Sequence, residues 1–508
     1  MSVTSPREKS MNGSPSPVSA SSTSMDNSLE SSPTYSRIPS QRQSQTSLSS
    51  MEAEMNATES TTGVTDPKKD TIDLNKLQEA LADDEEIGPL YDANGNDFEV
   101  PQFTMKDIRA AIPEHCFERS VTRSLSYVLR DIVFLAVNLT LCIKFITPEY
   151  IPSEIVRGLL WAGYTFLQGC IATGVWVLAH ECGHQAFSPY KVVNDTVGFI
   201  CHSLLLVPYF AWKISHGKHH KNTGHIERDM VFVPKTRDQF ASKIGKFAHE
   251  LSELTEEAPL ATAITCIGQQ LLGWPLYIST NVTGTEYYAK RKDGRGQGKR
   301  NGWFGGINHF NISTPLVDGK DAKLILFSDV GLACTGALLY WLGTNYGWWN
   351  LTVWYFMPYL WVNHWLVAIT YLQHTDPTLP HYENGVWNFQ RGAAATIDRE
   401  LGFVGPFFMH GIVETHVLHH FVSTIPFYNA DEASEAIKPI LGRHYRAKVG
   451  GGVLGFIKEL YTNARACQWV EPCADAVGKG KQVLFYRNRN GVNIPPAKLP
   501  KPEVQAQS

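Results

Sequence analysis

Apolar residues are concentrated in long runs in the middle of this 508-residue chain, whereas both ends are polar. One uncharged run is long enough for a helix to cross about 30 Å of hydrocarbon. The four strongest runs predict transmembrane helices arranged as two hairpins: 132–148, 158–179, 324–343 and 347–369. Two weaker runs are interrupted by proline or glutamine and predict interfacial or re-entrant segments: 196–212 and 259–280.

The distribution of basic residues supports this topology. Residues 290–300 are strongly basic, so the positive-inside rule places them in the cytosol. If 196–212 crossed the membrane fully, the basic stretch "SHGKHHKN" would lie in the lumen, away from His180. With both weaker runs non-spanning, every charged block is cytosolic. We therefore predict an all-α integral membrane protein with four transmembrane helices, additional interfacial helices and a cytosolic helical cap.

The polar ends divide the chain into further regions. Residues 1–70 are rich in Ser, Thr, Pro, Gln and Asn, and such a segment cannot bury enough apolar surface to offset its chain entropy, so we predict a disordered tail. We expect cytosolic or interfacial helices at 71–130, a membrane domain at 131–460 and a cytosolic tail at 461–508. The net charge of −4 does not suggest a nucleic-acid partner. The nine cysteines form no CxxC pair, a pattern typical of proteins whose thiols stay reduced.

Histidines provide the strongest chemical signal. Eight of the 18 fall in three clusters, "HECGH", "HGKHH" and "HVLHH", and these eight are His180, His184, His216, His219, His220, His416, His419 and His420. On a helix, positions i, i+3 and i+4 share one face, so each cluster presents its imidazoles from a single stripe. Under the predicted topology all three clusters lie on the same side of the membrane, which indicates one shared site.

The first cluster also fits the HExxH pattern of zinc metalloproteases. One catalytic zinc needs about three protein ligands, so eight clustered imidazoles match two metal ions better than one. Imidazole binds Fe, Cu, Ni and Zn, and the ligand set alone does not name the metal. An intramembrane zinc protease and a non-catalytic metal transporter or sensor remain alternatives, although the protease leaves six clustered histidines unexplained.

The clusters and their surroundings resemble membrane-bound acyl-lipid fatty acid desaturases, most closely the fungal Δ12 (oleate) type. The resemblance runs from about residue 100 to 460 and includes "AIPEHCFERSVTRSLSYVLRD", "VNHWLVAITYLQHTDP" and "ETHVLHHFVSTIPFYNADEA". It implies a cytosolic di-iron site ligated by the eight clustered histidines and, as a further ligand, by His374 in "TYLQHTDP". Glu181 is then expected to orient an imidazole rather than to act as a protease base.

The same resemblance implies a function. It is the conversion of oleoyl chains, held on phospholipids, to linoleoyl chains, with O2 as co-substrate and electrons from cytochrome b5 and NADH–cytochrome b5 reductase. The implied location is the endoplasmic reticulum membrane, with the active site and both termini in the cytosol. Within the family, an ω-3 (Δ15) or bifunctional desaturase or a hydroxylase remains open. The aromatic residues Trp176, Tyr209, Phe210 and Trp212 are candidates for the wall of an acyl-chain tunnel.

Overall fold

The computed structural model of the protein describes residues 87–243, 259–285, 287 and 307–488. The predicted disordered tail at 1–70, the basic stretch at 290–300 and the last 20 residues of the chain lie outside the described residues. The helices, in chain order, are α1 Met105–Ala111, α2 Val121–Phe145, α3 Glu154–Gly183, α4 Lys191–Leu204, α5 Tyr209–Asn222, α6 Arg237–Lys243, α7 Pro259–Thr280, α8 Ala322–Tyr346, α9 Trp348–Leu351, α10 Met357–His374, α11 Phe389–Ala393, α12 Val404–Phe408, α13 His416–Phe421, α14 Ala430–Leu441 and α15 Gly452–Ala466.

The long helix α3 is the centre of the helical bundle. It begins at Ser153, whose side chain accepts a hydrogen bond from the amide of Val156, as an N-cap residue does. It packs against α2, α4 and α10, and α10 in turn packs against α7. The first turns of α3 expose apolar side chains such as Ile155 and Leu159, whereas its last four turns are buried. The helix therefore passes from an apolar exposed region into a packed interior.

Two helices among the described residues are long and apolar enough to cross a membrane, Glu154–Gly183 and Gly319–Tyr346. The pair α4 and α5 would pass the same test together but is bent by 108° between its two parts. Helix α2 contains charged residues near both ends of its apolar part, and the run 347–369 is divided into α9, a π-helical turn and α10. The four predicted spans are therefore not confirmed, and their number stays a prediction.

The fold is mostly helical rather than entirely helical, which corrects the all-α prediction. Its strands are β1 Leu90–Tyr91, β2 Asp97–Phe98, β3 His381–Tyr382, β4 Asp398–Arg399, β5 Ala447–Lys448, β6 Trp469–Pro472 and β7 Val483–Arg487. Strand β7 lies between β3 and β6 in an antiparallel sheet, with His381 opposite Leu484 and Trp469 opposite Arg487. β-branched and aromatic residues favour this conformation in "VLFYR", and the first four of these residues are buried. Part of the segment 461–508 is thus folded onto the rest of the protein.

A separate apolar cluster joins the segment before α2 to the segment after α13. Ile108 of α1 and Cys116 are fully buried there against Leu418 of α13 and Ile437 of α14. Burial of apolar surface contributes about 25 cal/mol per Å², so this cluster stabilises the position of α13. Helix α13 carries the third histidine cluster. The segment before α2 and the segment after α13 both pack against this helix, so both hold the histidine cluster in place.

Candidate metal centre

Four helices bring the nine predicted histidines together. His180 lies in the last turn of α3, and His184 follows directly after that helix. Helix α5 provides His216, His219 and His220, the last residue of α10 is His374, and α13 provides His416, His419 and His420. Because each cluster has helical spacing, its imidazoles project to one side of its helix. The predicted convergence of the three clusters and of His374 is therefore found in the structure.

The nitrogens form two groups. In the five-histidine group, one ring nitrogen from each member lies within 4.8 Å of all the others, and its members are His180, His184, His216, His220 and His419. In the three-histidine group the same holds for His219, His374 and His420. His416 lies beside the second group, with its Nε2 3.0 Å from Nε2 of His374.

Consecutive residues are divided between the two groups. His219 and His220 are neighbours on α5, yet they belong to different groups, and so do His419 and His420 on α13. Successive residues on a helix point about 100° apart, since 3.6 residues complete a turn. The rings of His220 and His420 stack with their centroids 4.1 Å apart and their planes 7° from parallel. The two groups are therefore adjacent, and both use histidines of α5 and α13.

The distances between the imidazoles fit metal ligation. The Nε2 atoms of His180 and His216 are 3.0 Å apart, and those of His219 and His374 are 3.3 Å apart. Nitrogens bound about 2.1 Å from one ion, at angles of about 90–110°, would lie about 3.0–3.4 Å from each other. In addition, the buried Nε2 atoms of His184, His419 and His420 have no hydrogen-bond partner among the described residues. A metal ion in each group would satisfy these nitrogens.

Burial keeps the imidazoles of the third cluster neutral. It lowers the pKa of His416 and His420 well below the ordinary value, and the neighbouring imidazoles lower it further because a second positive charge nearby would repel the first. Burial also lowers the pKa of His419 to about 3, with His219 as the second cause. A neutral imidazole keeps a lone pair for a metal, so ligation requires no deprotonation at neutral pH.

Asp229 orients one of the predicted ligands and was not found from the sequence. Its Oδ1 lies 2.5 Å from Nδ1 of His219, which directs Nε2 of that ring toward the three-histidine group. The same carboxylate accepts hydrogen bonds from the amides of Gly224 and Met230, at 3.0 and 2.6 Å. A carboxylate on the far nitrogen of a ligating imidazole is a common supporting arrangement at metal sites. The acid stands ten residues after its histidine, outside any helical pattern that would have indicated the contact.

Glu181 takes a different role from the one expected. Its Oε2 accepts a hydrogen bond from the amide of Phe427 at 3.2 Å. Its Oε1 stands 3.5 Å from Nδ1 of His180, at the outer limit for a hydrogen bond, and that nitrogen has no hydrogen-bond partner among the described residues. The main contact of the carboxylate therefore links the first histidine cluster to the segment that follows the third histidine cluster. Orienting an imidazole is at most its lesser role.

An apolar cavity opens beside both groups. It lies between α3, α5, α7 and α10, and it contains about 990 Å³ of space free of protein atoms, including its mouth. Its wall includes the side chains of Trp176, Trp212, Trp274, Tyr277, Leu366 and Ile412, together with His180, His216, His219, His374 and His416. Of the four predicted wall residues, Trp176 and Trp212 line the cavity, whereas Tyr209 packs against Gly198 and Phe210 against Phe199.

The two tryptophans connect the cavity with the first histidine group. The Trp212 ring stacks on the His216 ring with a centroid distance of 4.6 Å, and the Trp176 ring stacks on the His180 ring at 5.6 Å. Fold and site together define a helical protein with apolar helices of membrane-spanning length. In it, two adjacent histidine groups, compatible with a pair of metal ions, form one wall of an apolar cavity.

Comparison of the sequence with known proteins assigns the chain to a family. The family model described as fatty acid desaturase matches residues 159–450, and a domain of unknown function, DUF3474, matches residues 12–140. The chain belongs to the fatty acid desaturase family. The resemblance noted from the histidine clusters is thereby confirmed, and the intramembrane zinc protease is no longer a competing interpretation.

The similar relatives include two kinds of enzyme. The chain is 56% identical over 415 residues to an oleate hydroxylase, FAH12, of Claviceps purpurea, covering 82% of this chain and 87% of that protein. It is 42% identical over 397 residues to a Δ12 fatty acid desaturase of Mortierella isabellina, covering 77% and 92%. It is 40% identical over 393 residues to an endoplasmic reticulum omega-6 fatty acid desaturase of Brassica juncea, covering 77% and 93%. The chain is therefore an oxidoreductase-type protein that acts on fatty acids.

Proposed function

We propose that this protein is a Δ12 acyl-lipid desaturase that converts oleoyl chains to linoleoyl chains in the endoplasmic reticulum membrane. The observation that carries the proposal is the position of the two histidine groups, which form one wall of a mostly apolar cavity. An acyl chain is unbranched and apolar, so such a cavity suits it. The Δ12 relative from Mortierella isabellina and the endoplasmic reticulum relative from Brassica juncea support the regiochemistry and the location.

In this proposal the nine histidines hold two iron ions, one for each group. His416 joins the three-histidine group through its contact with His374. Iron bound there would supply O2 activation and the removal of hydrogen from an unactivated methylene, which ordinary acid–base side chains cannot perform. Asp229 fixes the ring of His219, and Trp176 and Trp212 exclude water from the cavity side of the first group. The cavity walls fix the depth of the acyl chain, and hence the pair of methylenes that reacts.

The reaction needs electrons from a partner. Forming one double bond removes two hydrogens from neighbouring carbons, and reducing O2 to two waters takes these two hydrogens together with two further electrons and two protons. The sequence contains no flavin or nicotinamide fingerprint, so we propose cytochrome b5 and its NADH-dependent reductase as the electron source. We place the histidine groups and both termini on the cytosolic side of four membrane spans, as the charge distribution predicts.

A second candidate is oleate hydroxylation, because the Claviceps purpurea relative carries that name and is 56% identical. A hydroxylase inserts one oxygen atom from O2 into a C–H bond and gives one water, whereas a desaturase leaves both oxygen atoms in water. In this protein either reaction would act on an acyl chain in the same cavity. The histidine clusters serve either reaction, and only the product separates them.

Expression in a yeast that makes oleate but no linoleate tests the proposal. Fatty acid analysis should show 18:2 with double bonds at Δ9 and Δ12. A 12-hydroxy product as the main new species would assign the protein to hydroxylation. An 18:3 product formed only from supplied linoleate would assign it to ω-3 desaturation. If none of these products appears although the protein is present in the membrane fraction with two irons per chain, the proposed activity is wrong.

A further inference from the structure

A third group of metal-ligating side chains lies outside the histidine centre. It consists of His115 and Cys116 in a short 3₁₀ turn, Glu114–Phe117, and of Glu432 in the first turn of α14. One ligand atom from each lies within 4.8 Å of the other two. The turn precedes α2, while α14 follows the third histidine cluster. The group therefore joins two distant parts of the sequence.

The contacts of the His115 ring distinguish the group from a catalytic triad. Nε2 of His115 lies 2.9 Å from Oε2 of Glu432 and 3.7 Å from Sγ of Cys116. In a nucleophilic triad the imidazole uses opposite nitrogens for the nucleophile and the acid. Here a single nitrogen faces both partners, which is the arrangement of ligands around a metal ion.

The donor set and the distances suit zinc. Zinc binds thiolate, imidazole and carboxylate, with bonds of about 2.3, 2.0 and 2.1 Å in a tetrahedral arrangement. Such a geometry separates sulfur from nitrogen by about 3.6 Å and nitrogen from oxygen by about 3.4 Å. The sulfur–nitrogen distance of 3.7 Å already matches, and the nitrogen–oxygen distance of 2.9 Å requires an opening of about half an ångström. Glu432 is on the surface and can make this small adjustment.

The backbone of the turn is already fixed. The side-chain amide of Asn429 donates to the carbonyl oxygens of His115, Cys116 and Glu118, at 3.4, 3.3 and 3.4 Å. Cys116 is fully buried in the apolar cluster beneath the turn. His115 and Glu432 remain 57% and 58% exposed, so a metal ion can enter from solvent and a water can complete its coordination.

We propose that His115, Cys116 and Glu432 bind one zinc ion, with a water as the fourth ligand. The Cys116 thiol loses its proton when zinc binds, as ligation by cysteine requires. The bound ion would connect the turn before α2 with α14 and so add a constraint next to the segment that carries His416, His419 and His420. The site is independent of the proposed desaturase activity.

The test uses the full-length, iron-loaded protein in lipid nanodiscs, equilibrated with Zn²⁺ at buffered free concentrations. Zinc and iron per chain are measured by elemental analysis. We expect the wild type to bind one zinc ion per chain. Glu432→Gln should bind this ion at least tenfold more weakly, and His115→Ala should not bind it. The iron content of both variants should equal that of the wild type. Glu114→Gln, which alters an exposed acid in the same turn, should bind zinc like the wild type.

A second measurement identifies the sulfur ligand. With Co²⁺ in place of Zn²⁺, the wild type should show a thiolate-to-cobalt charge-transfer band that Cys116→Ser lacks. If Cys116→Ser does not fold because the residue is buried, the two exposed variants still decide the question. Equal zinc binding by the wild type, His115→Ala and Glu432→Gln would overturn the proposal. So would the absence of zinc uptake by the wild type at micromolar free zinc. Unchanged iron in the variants separates either result from a failure of the histidine centre.

Discussion

Replacing Asp229 by asparagine probes the support of the three-histidine group. One carboxylate oxygen faces Nδ1 of His219 and the amide of Met230, and the other faces the amide of Gly224. An asparagine of the same size has only one acceptor oxygen. In either orientation its NH2 group must face an N–H donor, either His219 Nδ1–H or the Gly224 amide. The substitution therefore removes at least one hydrogen bond and the negative charge without changing the volume of the side chain.

The expected loss follows from these contacts. A hydrogen bond to a charged group contributes about 1.5–3 kcal/mol, and removing a group that supports a metal-ligating imidazole commonly lowers metal affinity or activity about 10–100-fold. We expect Asp229→Asn to lower iron occupancy at limiting iron, and product formation, within that range. Asp229→Glu should restore part of the loss, because it keeps the charge although its longer chain displaces the oxygens.

The assay compares iron per chain with the fraction of oleate converted in yeast membranes that contain equal amounts of protein. Asp238→Asn, a change of an exposed acid nearby in the chain, is the matched control and should leave both values unchanged. Equal protein levels separate a loss of metal from a loss of folding. Full iron and full conversion in Asp229→Asn would refute the assignment of Asp229 as a positioning residue and would leave the orientation of His219 to its neighbours.

Three further expectations can be tested in the same system. His219→Ala should abolish product at an unchanged protein level, and retained activity would remove this residue from the proposed metal centre. Gly169→Ala should destabilise the protein by about 1–3 kcal/mol through overpacking, since the new Cβ would lie 2.3 Å from Cβ of Trp361. In the control Gly163→Ala, the new Cβ has no neighbour within 4 Å, so this variant should be as stable as the wild type. Thermal unfolding in nanodiscs measures the stability of both variants. Burial lowers the pKa of His381 to about 4, so below about pH 6.5 the unfolded chain binds a proton at this residue that the folded chain does not bind. The free energy of unfolding should therefore fall as the pH is lowered from 6.5 to 4. His381→Gln should make this fall smaller in acid unfolding experiments.

The grouping of the histidines within each cluster could be predicted from the sequence because each cluster is local. Three residues such as His416, His419 and His420 lie within two helical turns, and helical periodicity alone brings them to one face. Helical periodicity could not predict that His419 and His420 belong to different groups. It depends on the rotation of α13 against α5, which is decided by long-range packing around Leu418 and Ile437.

Other features were missed for related reasons. Strand β3 has two residues and pairs with β7 about 100 positions later, and so short a strand has no periodicity to detect. The predicted span 347–369 is uncharged and mostly apolar as a sequence, yet in the structure it contains a π-helical turn at Thr352–Phe356. Where a helix changes its winding is decided by its neighbours, here through the contact of the π-helical turn with α3. Composition records hydrophobicity but not this packing.

The same helices build the histidine groups and the cavity, and this arrangement has a consequence for specificity. Helices α5 and α13 each place adjacent histidines in both groups, so the separation of the groups is fixed by one residue step on a helix, a rise of about 1.5 Å and a rotation of about 100°. In our proposal, the depth of an acyl chain would instead be limited by cavity residues such as Trp274, Leu366 and Ile412. In our proposal, relatives with the same clusters can therefore differ in product, and the difference between desaturation and hydroxylation is to be sought in the cavity wall.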